Sequence, residues 1–147
     1  MQHSSDQAAL TRPAMSYTQM LEHIRYDGAY PTRARAEEVT TAVLSALGQR
    51  LTDEERRELA ERLPREAARL ITLHPPRTDT VTGWAFVKEL AGRTGGTLAT
   101  TRWDVGSVFG VVSQLAGSEL LDRIIARLPS GYAILFGRPE LLQTQAA

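Results

Sequence analysis

The sequence predicts an all-α protein, with two pseudo-symmetric helical repeats packed into one compact helical domain. Three observations predict it. First, a segment ending Glu61-Arg62-Leu63-Pro64 returns as Ala126-Arg127-Leu128-Pro129, and the prolines lie 129 − 64 = 65 positions apart. The same offset pairs Gln49 with Gln114, Glu54 with Glu119, Ala68 with Ala133 and Leu70 with Leu135. Val43 with Val108, Leu44 with Phe109, Leu47 with Val112, Leu59 with Ile124 and Ile71 with Phe136 follow it too. An internal repeat of this kind sets architecture ahead of any local pattern. Second, apolar residues recur at three- and four-residue intervals through the long segments, as on one face of a helix. Third, Ser and Thr residues stand just before those segments, where their hydroxyls cap free backbone N–H groups.

Residues 1–15 read as a flexible tail with little to bury. Repeat 1 spans residues 16–73. Ser16 caps a first helix bearing Tyr17, Met20, Leu21 and Ile24, which Asp27-Gly28 and Pro31 end. Thr32 caps a second, with Val39, Val43, Leu44 and Leu47 as its stripe. Glu37 and Glu38 stand early in it, where the helix dipole favours anions. Thr52-Asp53-Glu54-Glu55 matches the Thr-x-x-Glu capping box and opens a third helix, which carries Leu59 and Leu63. Pro64 suits the first turn of a short fourth helix, residues 65–73.

Residues 74–81 form a Pro-rich linker, stiffened by Pro75-Pro76. Repeat 2 spans residues 82–138. It restarts at Thr82, with Phe86, Val87 and Leu90 standing for Met20, Leu21 and Ile24 at an offset of 66. Residues Gly92 to Gly96 read as a loop, and Thr100 or Thr101 as the next cap. The helix that follows carries Val105, Val108, Phe109 and Val112. Gly117-Ser118 starts another, and Pro129 leads into a last helical turn at Tyr132 to Phe136. The apolar run Ile134 to Phe136 resembles a strand by itself. Its counterpart Ala67 to Ile71 lies in an Ala-, Arg- and Glu-rich context, so helix is expected in both. Residues 139–147 are expected to form a C-terminal tail.

The bulk numbers narrow the function. Formal net charge is zero, with 17 basic and 17 acidic residues, which argues against a dedicated nucleic-acid or anionic-membrane surface. No apolar run approaches the roughly 20 residues that span a bilayer. There is no cysteine, hence no disulfide framework and no thiolate metal site. Residues 1–13 lack the cationic start and apolar run of a secretory signal. A cytoplasmic protein is the expectation. Lys88 is the single lysine beside sixteen arginines, which a GC-rich coding bias explains.

Chemistry-bearing motifs are sparse. His3, His23 and His74 are scattered, and His23 with Asp27 supplies two ligands, too few to close a metal site. Asp53, Glu54 and Glu55 are explained by a helix N-terminus. Gly92-Arg93-Thr94-Gly95-Gly96 has the small residues of a phosphate loop but neither its Gly-Lys-Ser/Thr ending nor a preceding strand. Arg62, Arg65 and Arg69 alternate with Glu58, Glu61 and Glu66 and read as a salt-bridged solvent face. No nucleophile–base pair stands out, so no enzyme activity, cofactor or metal is expected.

Tyr17-x-x-Met20-Leu21, the Glu37-Glu38-x-x-x-Ala42-Val43-Leu44 helix and the two Leu-Pro segments together resemble the bacterial domain of unknown function 2267. The resemblance runs from about Tyr17 to Gly137. It implies an all-helical fold, and it implies no activity, cofactor or catalytic residue. Repeat 2 departs from the family pattern by having lost most of its surface charge.

That asymmetry carries the functional expectation. Residues 17–73 hold nine basic and ten acidic side chains; residues 82–138 hold six and four, together with six of the nine aromatics. Charge depletion with aromatic enrichment marks the core of an interface. Gly106 and Gly110, about one helical turn apart, let a neighbouring helix approach closely. The expected role is therefore a non-catalytic protein-interaction module, self-associating or docking on another intracellular protein through repeat 2. Trp103, Gly106, Phe109, Gly110, Tyr132 and Phe136 are its expected interface. The alternative is a regulatory protein that binds a small ligand or anion in the cleft between the repeats.

Overall fold

The computed structural model describes residues 15–138. These residues form eight helices and no strand: α1 Tyr17–Asp27, α2 Arg33–Gly48, α3 Asp53–Arg62, α4 Arg65–Ile71, α5 Gly83–Thr94, α6 Leu98–Ala116, α7 Ser118–Arg127 and α8 Tyr132–Leu135. The lengths run 11, 16, 10 and 7 residues, then 12, 19, 10 and 4. Each half thus holds four helices, and the last of the second half is a single turn of 4 residues. The expected tails, residues 1–15 and 139–147, lie outside the described residues except for Met15, which is half-buried against the core.

The caps explain where the helices begin. Ser16 Oγ accepts from the Gln19 backbone N–H at 3.1 Å, and the Gln19 side chain accepts from the Ser16 N–H at 2.9 Å. Thr52 and Glu55 close the same reciprocal box at 3.1 and 3.0 Å. Thr32 and Thr82 cap α2 and α5 with single bonds from Arg35 and Ala85.

Two boundaries in the second half differ from expectation. The residues from Gly92 do not begin a loop: α5 continues to Thr94 and breaks at Gly95, whose φ of 76° is left-handed. α6 begins at Leu98, not after Thr100 or Thr101. Thr97 caps it, with Thr100 returning the second bond of the box at 3.2 Å. A threonine here occupies the place usually held by Glu or Gln.

Both Leu-Pro turns form. Leu63 (ψ 154°) and Leu128 (ψ 153°) are extended, as the following proline requires, and both side chains are buried. The exits differ. Pro64 abuts α4 directly, whereas α8 waits until Tyr132, so Pro129 does not itself open the last helix. The cause is Gly131, held at φ 98° against the start of α5. The Gly83 N–H donates to the Ser130 carbonyl at 2.8 Å. A Cβ on Gly83 would lie 2.4 Å from the Gly131 carbonyl carbon, so the two segments meet backbone to backbone.

α6 is the central element, in contact with α1, α2, α3, α5, α7 and α8. Its inner stripe, including Val105, Val108, Phe109, Val112 and Leu115, is buried. Phe109 stacks on Phe136 with centroids 4.1 Å apart, and Phe86 meets Phe109 and Tyr132 at 5.9 and 5.6 Å. The two halves are also tied by ion pairs from α7 to α3, Arg127 with Glu55 at 2.6 Å and Arg123 with Glu58 at 3.0 Å. The glutamates of α3 thus pair across the molecule more than along their own helix. The linker is fastened by buried Arg50, which donates to the Asp79 carbonyl at 3.0 Å and to Glu89 at 3.2 Å. Among the described residues, no helix is long and apolar enough to cross a membrane.

Candidate functional site

The outer face of α6 is made by the residues its inner stripe leaves over. Ala99, Arg102, Trp103, Gly106, Ser107 and Gly110 follow one another at helical intervals and, with Asp27 at the end of α1, line a hollow of about 550 Å³. Trp103 is 57 % exposed. It is nevertheless anchored, because its indole N–H donates to the Gly28 carbonyl at 2.9 Å. Gly28 belongs to a tight turn. A Cβ there would strike the Tyr30 ring at 2.1 Å, and the next residue, Ala29, sits at φ 55°. The same turn presents Tyr30, whose hydroxyl donates to Asp104 on α6 at 2.6 Å. Burial, and then that bond to Asp104, push the Tyr30 phenol well above its ordinary value.

The two glycines behave differently. A Cβ on Gly106 would lie 2.9 Å from the Arg102 guanidinium, which folds over it; a Cβ on Gly110 would meet nothing within 4 Å. A Cβ on either glycine would meet no atom of the first half within 4 Å.

A second hollow, of about 320 Å³, shares Ala99 and Arg102 with the first. Its other walls are Gly83, Trp84 and Val87 of α5, Leu98 of α6, and Gly131, Ile134 and Leu135 at α8. Trp84 is 62 % exposed, Ile134 55 % and Leu98 45 %. Lys88 Nζ stands 5.1 Å from the Trp84 ring centroid, a cation–π contact. Four of the six exposed large hydrophobics therefore border these two hollows; the others, Tyr26 and Leu73, are on the first half.

The structure divides the expected interface residues. Trp103, Gly106 and Gly110 come together on the outer face of α6. Phe109, Tyr132 and Phe136 do not join them. Each is core, with Phe109 and Tyr132 fully buried and Phe136 at 5 % exposure. Phe109 lies on the same side of α6 as Val105 and Val112, and the Tyr132 hydroxyl donates inward to the Val81 carbonyl at 3.1 Å. Sequence reasoning missed Trp84, Leu98, Arg102 and Ile134. A signal existed for Ile134, the one apolar residue between Tyr132 and Phe136 that cannot share a side with its four neighbours in so short a helix.

A third hollow, of about 220 Å³, does lie between the halves. Arg35, Glu38, Val39, Ala42 and Val43 of α2 face the α5–α6 turn and the start of α6, including buried Thr101. Arg35 pairs with Glu38 at 3.0 Å.

The displaced titrations belong to fold-holding contacts. Burial raises Tyr17 and Tyr132 to about 12. The hydrogen bond from Arg123 lowers Glu58. Desolvation opposes the ionised form of Asp79, but the charges of Arg50 and Arg77 outweigh it and lower that group. Among the described residues, no three His, Cys, Asp or Glu side chains converge as a metal set.

A family model described as "Uncharacterized conserved protein (DUF2267)" matches residues 17–135, from the first residue of α1 to the last of α8. No curated protein matches the chain.

Proposed function

From the premise that the chain belongs to the DUF2267 family, which brings no chemistry with it, we propose that this protein is a non-catalytic helical interaction module. It docks a protein partner through the joined hollows of α5, α6 and α8. The observation that carries this reading is the gathering of Trp84, Leu98, Trp103 and Ile134 around two adjoining concavities. Scattered exposed hydrophobics are ordinary, but contiguous ones mark a surface that something covers. The reading is non-catalytic because the displaced titratable groups are each engaged in packing or an ion pair. A bacterial, cytoplasmic setting goes with it, and a sequence without cysteine suits that compartment. Balanced charge leaves little to neutralise phosphates, so nucleic acid is not the proposed partner.

Ile134→Glu tests the proposal, since it places a charge in the second hollow without touching the core. The expected result is an unchanged melting temperature together with loss of the complexes that the native chain forms in bacterial lysate and with itself. Complexes that survive the substitution would refute docking at this face.

A second reading rests on the polar hollow between α2 and the α5–α6 turn, where Arg35, Thr94, Thr100 and Thr101 would serve a small ligand or anion. Thr101→Val should then abolish saturable binding of inorganic phosphate or a small phosphorylated metabolite measured by calorimetry. Absence of such binding in the native protein would end this alternative.

A further inference from the structure

We propose that the occupant of the α5–α6–α8 face is an amphipathic helix of another protein that carries acidic residues beside its apolar stripe, and that Arg102 selects it. This inference rests on the docking reading above and names the chemistry of the partner.

Shape comes first. The described residues contain no strand, so they offer no sheet edge to which an extended peptide could add. They offer instead two hollows, of about 550 and 320 Å³, that join at Ala99 and Arg102. Gly110 leaves open space at one end, and the floor between Trp84 and Ile134 is apolar at the other. A groove of this form accepts the side chains of a helix lying across it, as in helix-in-groove recognition. A flat bilayer surface would leave both concavities unfilled.

Charge then sets the kind of helix. Nine of the fifteen arginines among the described residues are held in ion pairs: Arg25, Arg33, Arg35, Arg50, Arg77, Arg93, Arg123, Arg127 and Arg138. Arg102 has no such pair, yet it stands where the two apolar hollows meet. It lies over Gly106, which has no side chain to lift the guanidinium away from the groove floor. Lys88, also outside every ion pair among the described residues, flanks the second hollow above Trp84. Among the described residues, Asp27 is the only acid lining either hollow. An apolar groove with cations at its centre and margin complements an apolar stripe flanked by carboxylates. The guanidinium fork suits a carboxylate bidentately.

The chain carries its own reporter, since Trp84 and Trp103 are its only tryptophans and both border this face. The probes are a synthetic amphipathic helix with a leucine stripe flanked by glutamates, and the same peptide with every glutamate replaced by lysine. Titration of the full chain with the acidic peptide is expected to shift tryptophan emission to the blue, and added salt to weaken the effect. The lysine peptide is expected to bind at least about tenfold more weakly, and Arg102→Glu to reverse the order. Lys88→Glu should weaken the acidic peptide less. Melting temperatures of both variants should stay close to that of the native chain, because neither residue holds an ion pair among the described residues and Lys88 contributes only a cation–π contact to an exposed Trp84.

Equal binding of both peptides, unaffected by Arg102→Glu, would overturn the charge rule while leaving docking at the face intact. A blue shift that appears only as the protein itself is concentrated would assign the face to a second copy. A shift produced by anionic phospholipid vesicles and by neither peptide would assign it to a membrane. No shift with any of these would overturn both this inference and the docking reading.

Discussion

The indole Nε1 of Trp103 lies 2.9 Å from the carbonyl oxygen of Gly28, a residue 75 positions earlier in the chain. One side chain thus ties the centre of the second half to the first turn of the first half, and still leaves more than half its surface open. Holding an exposed Trp in one rotamer in this way removes the entropy cost of ordering it when a partner arrives.

Trp103→Phe separates those two roles. It keeps an apolar ring in the hollow and leaves the Gly28 carbonyl without its donor. Denaturant unfolding should show a loss of about 1 kcal/mol, the usual net worth of one such bond, with docking weakened but not abolished. A variant as stable as the native chain would show that the bond contributes nothing to joining the halves.

Leu63→Ala and Leu128→Ala should each cost about 2–5 kcal/mol. Both leucines are buried and both are aimed inward by the extended backbone before a proline. Leu63 is the more deeply enclosed, at 2 % against 8 % exposure, so its substitution should be the costlier. Chemical denaturation of the two variants checks both the magnitude and the order.

Alkaline pH should destabilise the protein through its raised phenols, Tyr132 beside Tyr17 and Tyr30. Burial is the main cause that raises the Tyr132 phenol from 10.0 to about 12. The folded state therefore holds a proton that the unfolded state releases. This contribution to stability is fully present below pH 10 and is lost as pH rises through about 12. Tyr132→Phe should lower stability at neutral pH through loss of the bond to the Val81 carbonyl, and should flatten the fall in melting temperature across that window. An equally steep alkaline fall in the variant would place the sensitive group elsewhere.

Much of this architecture is legible in local sequence. Ser16, Thr32, Thr52 and Thr82 cap the helices they precede, because a hydroxyl before an apolar stripe has one dominant use. The Leu-Pro turns are equally plain, since proline restricts its neighbour whatever the tertiary context. Thr100 and Thr101 suggest too late a start for α6 because they stand just before its valine stripe, whereas the cap is Thr97, one turn earlier. Only the reciprocal bonding of Thr97 with Thr100 decides it. Pro129 misled for a non-local reason: the start of α8 is set by the contact of Gly131 with Gly83.

The site was half legible. Gly106 and Gly110 mark an outer face because valines already define the inner one. Counting aromatics does not separate a crowded core from an exposed surface, and so Phe109, Tyr132 and Phe136 were expected beside Trp103 when they pack beneath it. Arg102 gave no signal in sequence. Its place at the junction of two hollows depends on α5 and α8 reaching α6 from distant parts of the chain.

Gly110→Leu tests most directly whether the outer face of α6 meets something beyond the chain. A Cβ at this position meets no atom within 4 Å, and glycine inside a helix costs about 1 kcal/mol relative to alanine. The account predicts a melting temperature equal to or a few degrees above that of the native protein, with docking of the acidic amphipathic peptide lost because leucine fills the hollow. A fall of several degrees would mean that the face is packed within the molecule, and docking undiminished in the variant would mean that the partner lies elsewhere.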